Sequence, residues 1–309
     1  VLTYVLERII GLVPVLLGVS LLVFTLTWLA PGDPVVALVG ESAQGISREA
    51  LEDLRRSYGL DRPLPVQYWD YLSGALQGDL GRSVRSGLPV AQEIAMRFPA
   101  TLRLTLAGMA VAVTLGISLG LLAAVYRRTL VDYVAIVLAL IGVSVPVFWS
   151  GLILMIIFAL ELGWLPASGS GSWRHLVMPA FAIGFASSAF IARITRSSMI
   201  ETLRHDYVRT ARAKGVVSWR VNVRHAFRNA LLPVVTVVGL QFGSLLGGAV
   251  LTETVFAYPG VGRMLVDAIR ARDLPLIQGT VLFVSVVFVL INLAVDVSYA
   301  ALNPKIRYE

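Results

Sequence analysis

The sequence predicts an all-α polytopic membrane protein with six transmembrane helices and a small external helical insert, and three observations lead there. Apolar residues make up 57% of the 309-residue chain and charged residues only 15%, with a mean hydropathy of +0.77, a balance outside that of soluble domains. Several apolar runs are long enough to cross a hydrocarbon core of about 30 Å. Between Arg193 and Arg228 nine Lys/Arg stand against two acids, with a strongly apolar segment on either side, the signature of a large inside loop. The formal net charge of +7 is concentrated in that loop and in the flanks of apolar runs, where topology requires it, so nucleic acid is excluded as a partner. With no cysteine there is no disulfide, thiolate nucleophile or cysteine metal site, and His175, His205 and His225 are too scattered for a structural zinc cluster.

Residues 5–30 form the first span, too long for a signal-peptide core and with no small-x-small cleavage site after it, so it is expected to remain as a helix with its N-terminus inside. Pro31-Gly32-Asp33-Pro34 ends it. Residues 31–98 carry nine acids and seven arginines with several Pro and Gly turn signals, and their acidic balance places them outside. Within this insert, Ser47 is expected to cap a short helix that stops near Tyr58-Gly59. The aromatics of Val66–Gln77 suit a helix at the interface, and Pro89–Arg97 reads as another short helix leading to the membrane.

The second span is Thr101–Val125, closed by Arg127-Arg128 on the inside, and the third is Tyr133–Leu160 with a bend at Pro146. The Trp-bearing loop Glu161–His175 lies outside. The fourth span, Leu176–Thr195, carries Gly184, Ala186, Ser187 and Ser188, which predict close packing against other helices. After the basic loop, the fifth span is Leu231–Thr252, in which Gly239, Gly243 and Gly247 share a face, for helix packing or for lining a path. Arg263–Arg272 is a short interfacial helix, and a sixth span, Gly279–Ala300, returns the C-terminus to the inside with Lys305 and Arg307. Arg97 and Arg103 lie at the outer end of span two against this charge rule and are expected to snorkel. The domain reading is therefore 1–30 for the first helix, 31–98 for the extracytoplasmic insert and 99–309 for a core of spans two to six.

The chain has no Gly-x-x-x-x-Gly-Lys-[Ser/Thr] and no Gly-Lys pair, so it lacks the usual cradle for ATP phosphates. His-Glu-x-x-His is absent, and no inverted repeat of the kind found in many secondary transporters is evident. Asp296 lies near the inner end of span six, available as a counter-ion, a packing contact or part of a gate. The basic loop is the strongest feature. Ile194–Lys214 is helical in pattern, Gly215 ends that helix, Ser218 is placed to cap a second, and Pro233 opens the next span. Two short helices at an angle form an exposed knob on the inner face, suited to docking into a cleft of a soluble partner.

These residues carry a resemblance. Asp206-x-x-x-Thr210-Ala211-x-Ala213-Lys214-Gly215, followed by His225-x-x-x-Asn229-Ala230-Leu231-Leu232-Pro233, is similar to the EAA loop of permease subunits of binding-protein-dependent ABC importers. Leu29-Ala-Pro-Gly-Asp-Pro34, Tyr58-Gly-Leu-Asp-Arg-Pro63, Gly78-Asp-Leu-Gly-Arg-Ser83 and Glu253-Thr-Val-Phe-x-Tyr-Pro-Gly-Val-Gly262 resemble the first of the two paired permeases of the dipeptide/oligopeptide/nickel branch. The chain has Arg209-Thr210-Ala211 where the general motif begins Glu-Ala-Ala. The resemblance implies a type I importer permease fold in the bacterial cytoplasmic membrane with both termini cytoplasmic. It also implies a coupling helix within the cytoplasmic loop 197–230 and a bend at Gly215. The implied partners are a homologous second permease, two ATPase subunits that carry ATP and Mg, an extracytoplasmic solute-binding protein, a di- or oligopeptide substrate and the lipid bilayer. Nickel or another small solute is the alternative cargo, and a transporter working alone the alternative class. No catalytic residue, cofactor or metal ligand is expected in this chain. Arg209, Arg212 and Lys214 would meet acidic groups of the ATPase or lipid phosphates, and His225 and Asn229 are expected to hydrogen-bond across the knob.

Overall fold

Eleven helices carry the residues that the computed structural model of this chain describes, which are 2–29, 35, 47–57 and 59–302. Side chains are described for these residues except 2–9, 26, 27, 29, 54, 57, 296 and 298–302. The helices are α1 Leu2–Leu29, α2 Arg48–Ser57, α3 Leu64–Leu76, α4 Val90–Val125, α5 Leu130–Ser144, α6 Val147–Glu161, α7 Arg174–Thr202, α8 Asp206–Ala213, α9 Ser218–Val255, α10 Val261–Ala271 and α11 Leu274–Leu302. The expected stop at Pro31–Pro34 and the basic pair Lys305 and Arg307 lie outside the described residues.

The expectation of six transmembrane helices is corrected. Among the described residues four helices are long and apolar enough to cross a membrane, α4, α7, α9 and the Leu274–Val295 part of α11, or up to five if the bent pair α5 and α6 forms one span. α1 runs 28 residues but enters the count only through Ile10–Thr25, the stretch whose side chains are described. One physical cause also reduces the number. The stretch read as a third span bends by 104° between α5 and α6. Pro146 disfavours helical backbone at the residue before it, and Val145 is extended (φ −87°, ψ 122°), so the helix stops at Ser144 and restarts after the proline. The fold itself remains all-α among the described residues.

Two compact units organise the chain. One contains Leu102–Tyr258 and Ile291–Glu309. Its inner packing runs through small residues of α4 and α7: a Cβ on Gly120 would lie 2.5 Å from the Ala192 carbonyl, and one on Gly184 would lie 2.5 Å from the Gly108 carbonyl. Backbones this close need glycine, so the small residues of the fourth apolar run do pack tightly. Gly151 of α6 leaves room for the Phe256 ring at the end of α9, where a Cβ would come within 2.9 Å.

The other unit contains Leu2–Thr101 and Pro259–Leu290. Ser47 begins α2 as a cap, accepting from the Ala50 N–H at 3.2 Å, and Tyr68 of α3 meets Ser20 of α1 at 2.8 Å. Residues 89–97, expected as a separate short helix, are the first turns of the 36-residue α4. The core of this unit is Val90, Ile94, Val261, Met264, Ala268 and Leu276. Asp273, 1% exposed, ties it together, accepting from Ser83 Oγ at 2.5 Å and from the Arg85 and Leu276 N–H groups at 3.3 and 3.2 Å. Arg97 does not need to snorkel, because it pairs with Glu93 one turn earlier, a carboxylate that is itself buried.

Candidate functional site

The knob is built from its apolar underside. Val208 and Ala211 lie three apart on α8 and so share a face. They join Ala124 at the end of α4, Met199 on α7, and Val221, Ala226 and Ala230 on α9, with Val208, Met199, Val221 and Ala226 showing 0% exposure. An eight-residue helix is too short to persist alone, so this burial is what holds it.

The turn that follows satisfies the backbone of the helix end. The Val216 N–H donates to the Ala211 carbonyl at 3.2 Å and the Gly215 N–H to Arg212 at 3.0 Å, the paired bonds of a Schellman stop. Gly215 supplies the left-handed residue that this stop requires, at φ +78°, and a Cβ there would meet nothing within 4 Å. The glycine is therefore set by backbone conformation and not by crowding. Ser218 is the first helical residue of α9; the preceding Val217 occupies the cap position and no side chain caps the helix, so the expected Ser218 cap is not formed.

The sequence also suggested that a separate second helix would end before Pro233. Instead α9 runs unbroken from Ser218 to Val255 through a π-helical turn at Val221–Phe227, and Pro233 lies inside it. The helix absorbs the missing donor, so the second arm of the knob is continuous with a membrane-crossing helix.

The outer face is polar. Asp206, Arg209, Thr210, Arg212, Lys214 and Gly215 are all exposed. The Thr210 hydroxyl bonds back to the Asp206 carbonyl at 2.9 Å, and Arg209 lies 3.7 Å from the Asp206 carboxylate, a contact too exposed to hold either side chain. Asn229 Nδ2 donates to the Tyr207 hydroxyl at 2.8 Å and to the His225 carbonyl at 3.1 Å. The expected pairing of the His225 and Asn229 side chains is thus a side-chain-to-backbone bond, and the partner across the knob is Tyr207. Beside it opens a groove of about 460 Å³ lined by Ser198, Glu201, Thr202, His205, Tyr207, Asn229, Ala230, Leu232 and Pro233.

The glycine stripe divides. A Cβ on Gly239 would come within 2.5 Å of Val295 on α11, whereas one on Gly247 would meet nothing within 4 Å; Gly243 is buried. Asp296 lies on α11, with its side chain outside those described. Sequence reasoning missed Asp132, 3% exposed, whose two oxygens take Arg196 Nε at 2.8 Å and Nη2 at 2.9 Å while the Arg128 N–H donates at 3.0 Å. The signal available was an acid next to a positive-inside pair of arginines. Glu253 and Tyr258 of the second motif are buried at 0% and 4% exposure. Burial pushes the Tyr258 hydroxyl up from its ordinary range, Arg103 opposes the rise and Glu253 adds to it.

Long apolar helices carrying an exposed two-armed basic knob define a membrane permease component. Among the described residues no group of three His, Cys, Asp or Glu is placed to hold a metal ion. The chain belongs to the family of binding-protein-dependent transport system inner membrane components, matched over residues 116–308, and the N-terminal region characteristic of such components is matched over residues 1–105. Among curated relatives it is 49% identical over 308 residues to the glutathione transport system permease protein GsiC of Salmonella choleraesuis, 49% to that of Pectobacterium atrosepticum and 48% to that of Escherichia coli K12, each covering 100% of both chains.

Among solved structures, a MetNI methionine ABC transporter in inward-facing conformation superposes with a TM-score of 0.60 at 16% identity, covering 69% of this chain and 97% of that one. An amino acid ABC transporter with histidines superposes with a TM-score of 0.52 at 16% identity, covering 69% and 94%. At such identity these establish the fold alone. The chain is a permease subunit of an ABC importer and not an enzyme; ATP hydrolysis occurs in separate ATPase subunits. The family architecture joins such a subunit to a second permease, ATPase subunits and a solute-binding protein.

Proposed function

We propose that this chain is the permease half through which a bacterial importer moves glutathione or a closely related short peptide, and that α8 with the turn at Gly215 is its coupling element. The observation that carries the substrate reading is the 49% identity over the full length to a glutathione transport permease. Glutathione is itself a short peptide, so this narrows the di- or oligopeptide reading of the sequence.

The geometry supports the coupling role. Asp206, Arg209, Arg212 and Lys214 project from a knob whose underside is buried against the ends of α4, α7 and α9. A push on the knob therefore acts on three membrane helices at once. Thr210 and Ala211 maintain its helix, while His225, Asn229 and Pro233 shape its second arm. In this reading the knob and both termini face the cytoplasm, the partner ATPases are two in number, and residues 31–98 with the turn before α10 face the solute-binding protein. Gly239 serves helix packing through Val295, and Gly247 faces the path or the partner permease.

The test is uptake of radiolabelled glutathione by cells carrying the complete importer with this subunit or with the Gly215→Trp variant. The variant is expected to reach normal membrane abundance and to lose uptake more than tenfold while ATP hydrolysis continues. Normal uptake at normal abundance would remove the coupling assignment. No uptake of glutathione, together with uptake of a labelled dipeptide or of nickel by the same importer, would replace the substrate.

A further inference from the structure

Away from the knob, α4, α5 and α7 line a half-open cavity of about 370 Å³. Its wall is aliphatic, with Leu119 and Ala123 from α4, Ile136, Ala139 and Val143 from α5, and Ala189 from α7. Along α7 the lining extends from Ala189 to Ser197, about 12 Å at 1.5 Å per residue. That approaches the roughly 15 Å depth of one bilayer leaflet.

One end of the cavity is basic. Arg193 and Arg196 line it, and Arg127 and Arg128 occupy the exposed turn leading into α5. Asp132 binds Arg196 through both oxygens and takes the Arg128 backbone N–H, and the charge of Arg127 acts on it as well, so this carboxylate is engaged by Arg196 and Arg127 and not by Arg193. Arg193 lies 5.8 Å over the Phe190 ring and has no carboxylate partner among the described residues.

We propose that this cavity binds one anionic phospholipid, an acyl chain lying along α5 and α7 and the headgroup phosphate meeting Arg193 at the basic end. Charge complementarity selects the headgroup, because the uncompensated arginines attract an anion, and the aliphatic lining with the length of one leaflet selects the chain. Asp132 assigns Arg196 a structural task and leaves Arg193 for the phosphate. The proposal is independent of the cargo.

Native mass spectrometry of the full chain, purified with an equimolar mixture of phosphatidylglycerol and phosphatidylcholine, tests it. One phosphatidylglycerol is expected to be retained in preference. Arg193→Gln is expected to lower that retention about fivefold, the scale of one basic residue at an anionic surface, without changing phosphatidylcholine. Ala139→Phe, which fills the cavity, is expected to lower retention of both lipids, and Arg270→Gln on α10 neither. Equal retention of the two lipids, an Arg193→Gln variant indistinguishable from the unmodified chain, or an equal loss in Arg270→Gln would overturn the proposal. Loss of the lipid when the second permease is co-purified would assign the cavity to a protein interface instead.

Discussion

Single residues act here through conformation and charge pairing. Gly215 separates two effects that a glycine usually merges. Its φ of +78° penalises any side chain, but the space around its Cβ is open. Gly215→Ala is expected to cost about 1 kcal/mol through the left-handed backbone alone and to leave uptake nearly normal, whereas Gly215→Trp places a bulky ring on the docking face. Comparing thermal unfolding with transport for the two variants checks this. Asp132 poses a different case, a carboxylate whose side chain is 4% exposed against an Arg196 side chain that is 29% exposed. Because the Arg196 left behind is partly exposed, the loss is that of its charged hydrogen bonds and not of a buried unpaired ion. Asp132→Ala is therefore expected to lower denaturant stability by about 1.5–3 kcal/mol, and Asp132→Ala with Arg196→Leu to recover part of it.

The short and long helices are held by different forces. α8 is held by Val208, by the Schellman bonds and by Tyr207, which accepts from Asn229 at 2.8 Å. Asn229→Ala removes two hydrogen bonds, of which the one to Tyr207 ties α8 to α9 and contributes about 1 kcal/mol net, so amide exchange across 206–213 is expected to quicken about fivefold while the long helices exchange as before. The contact of α4 with α7 depends on the absence of side-chain volume. At Gly120 a Cβ would stand 2.5 Å from the Ala192 carbonyl and 2.6 Å from Thr195 Cβ. Gly120→Val must separate the helices, and overpacking of this kind costs about 1–3 kcal/mol. A lower melting temperature of the purified chain, with helix content retained, is the expected reading.

For the whole molecule the open matter is which surface faces which side of the membrane. The chain has no cysteine, so single reporters can be introduced without background. Arg209→Cys on the knob is expected to react with a membrane-impermeant maleimide only in inside-out vesicles. Trp173→Cys, at a position 74% exposed, is expected to react only in right-side-out ones. The reverse pattern would invert the proposed topology and remove the knob from reach of any cytoplasmic ATPase.

Composition and charge asymmetry were enough to read a polytopic all-α membrane protein with a basic loop turning at Gly215, and the motif from Asp206 to Pro233 carried the resemblance to importer permeases. These depend on local chemistry: an apolar run must leave water, a basic loop resists crossing, and a left-handed turn favours glycine. The number of crossings was beyond their reach. Apolarity alone does not distinguish a straight helix from one that turns by 104° at Pro146. Pro233 shows the same limit in reverse, since a residue that reads as a boundary lies inside α9. Contacts between distant residues were equally hidden. Asp132 with Arg196, Ser83 with Asp273, and Asn229 with Tyr207 are separated by 64, 190 and 22 positions. No periodicity records such pairings, because only the packing of helix against helix brings the partners together.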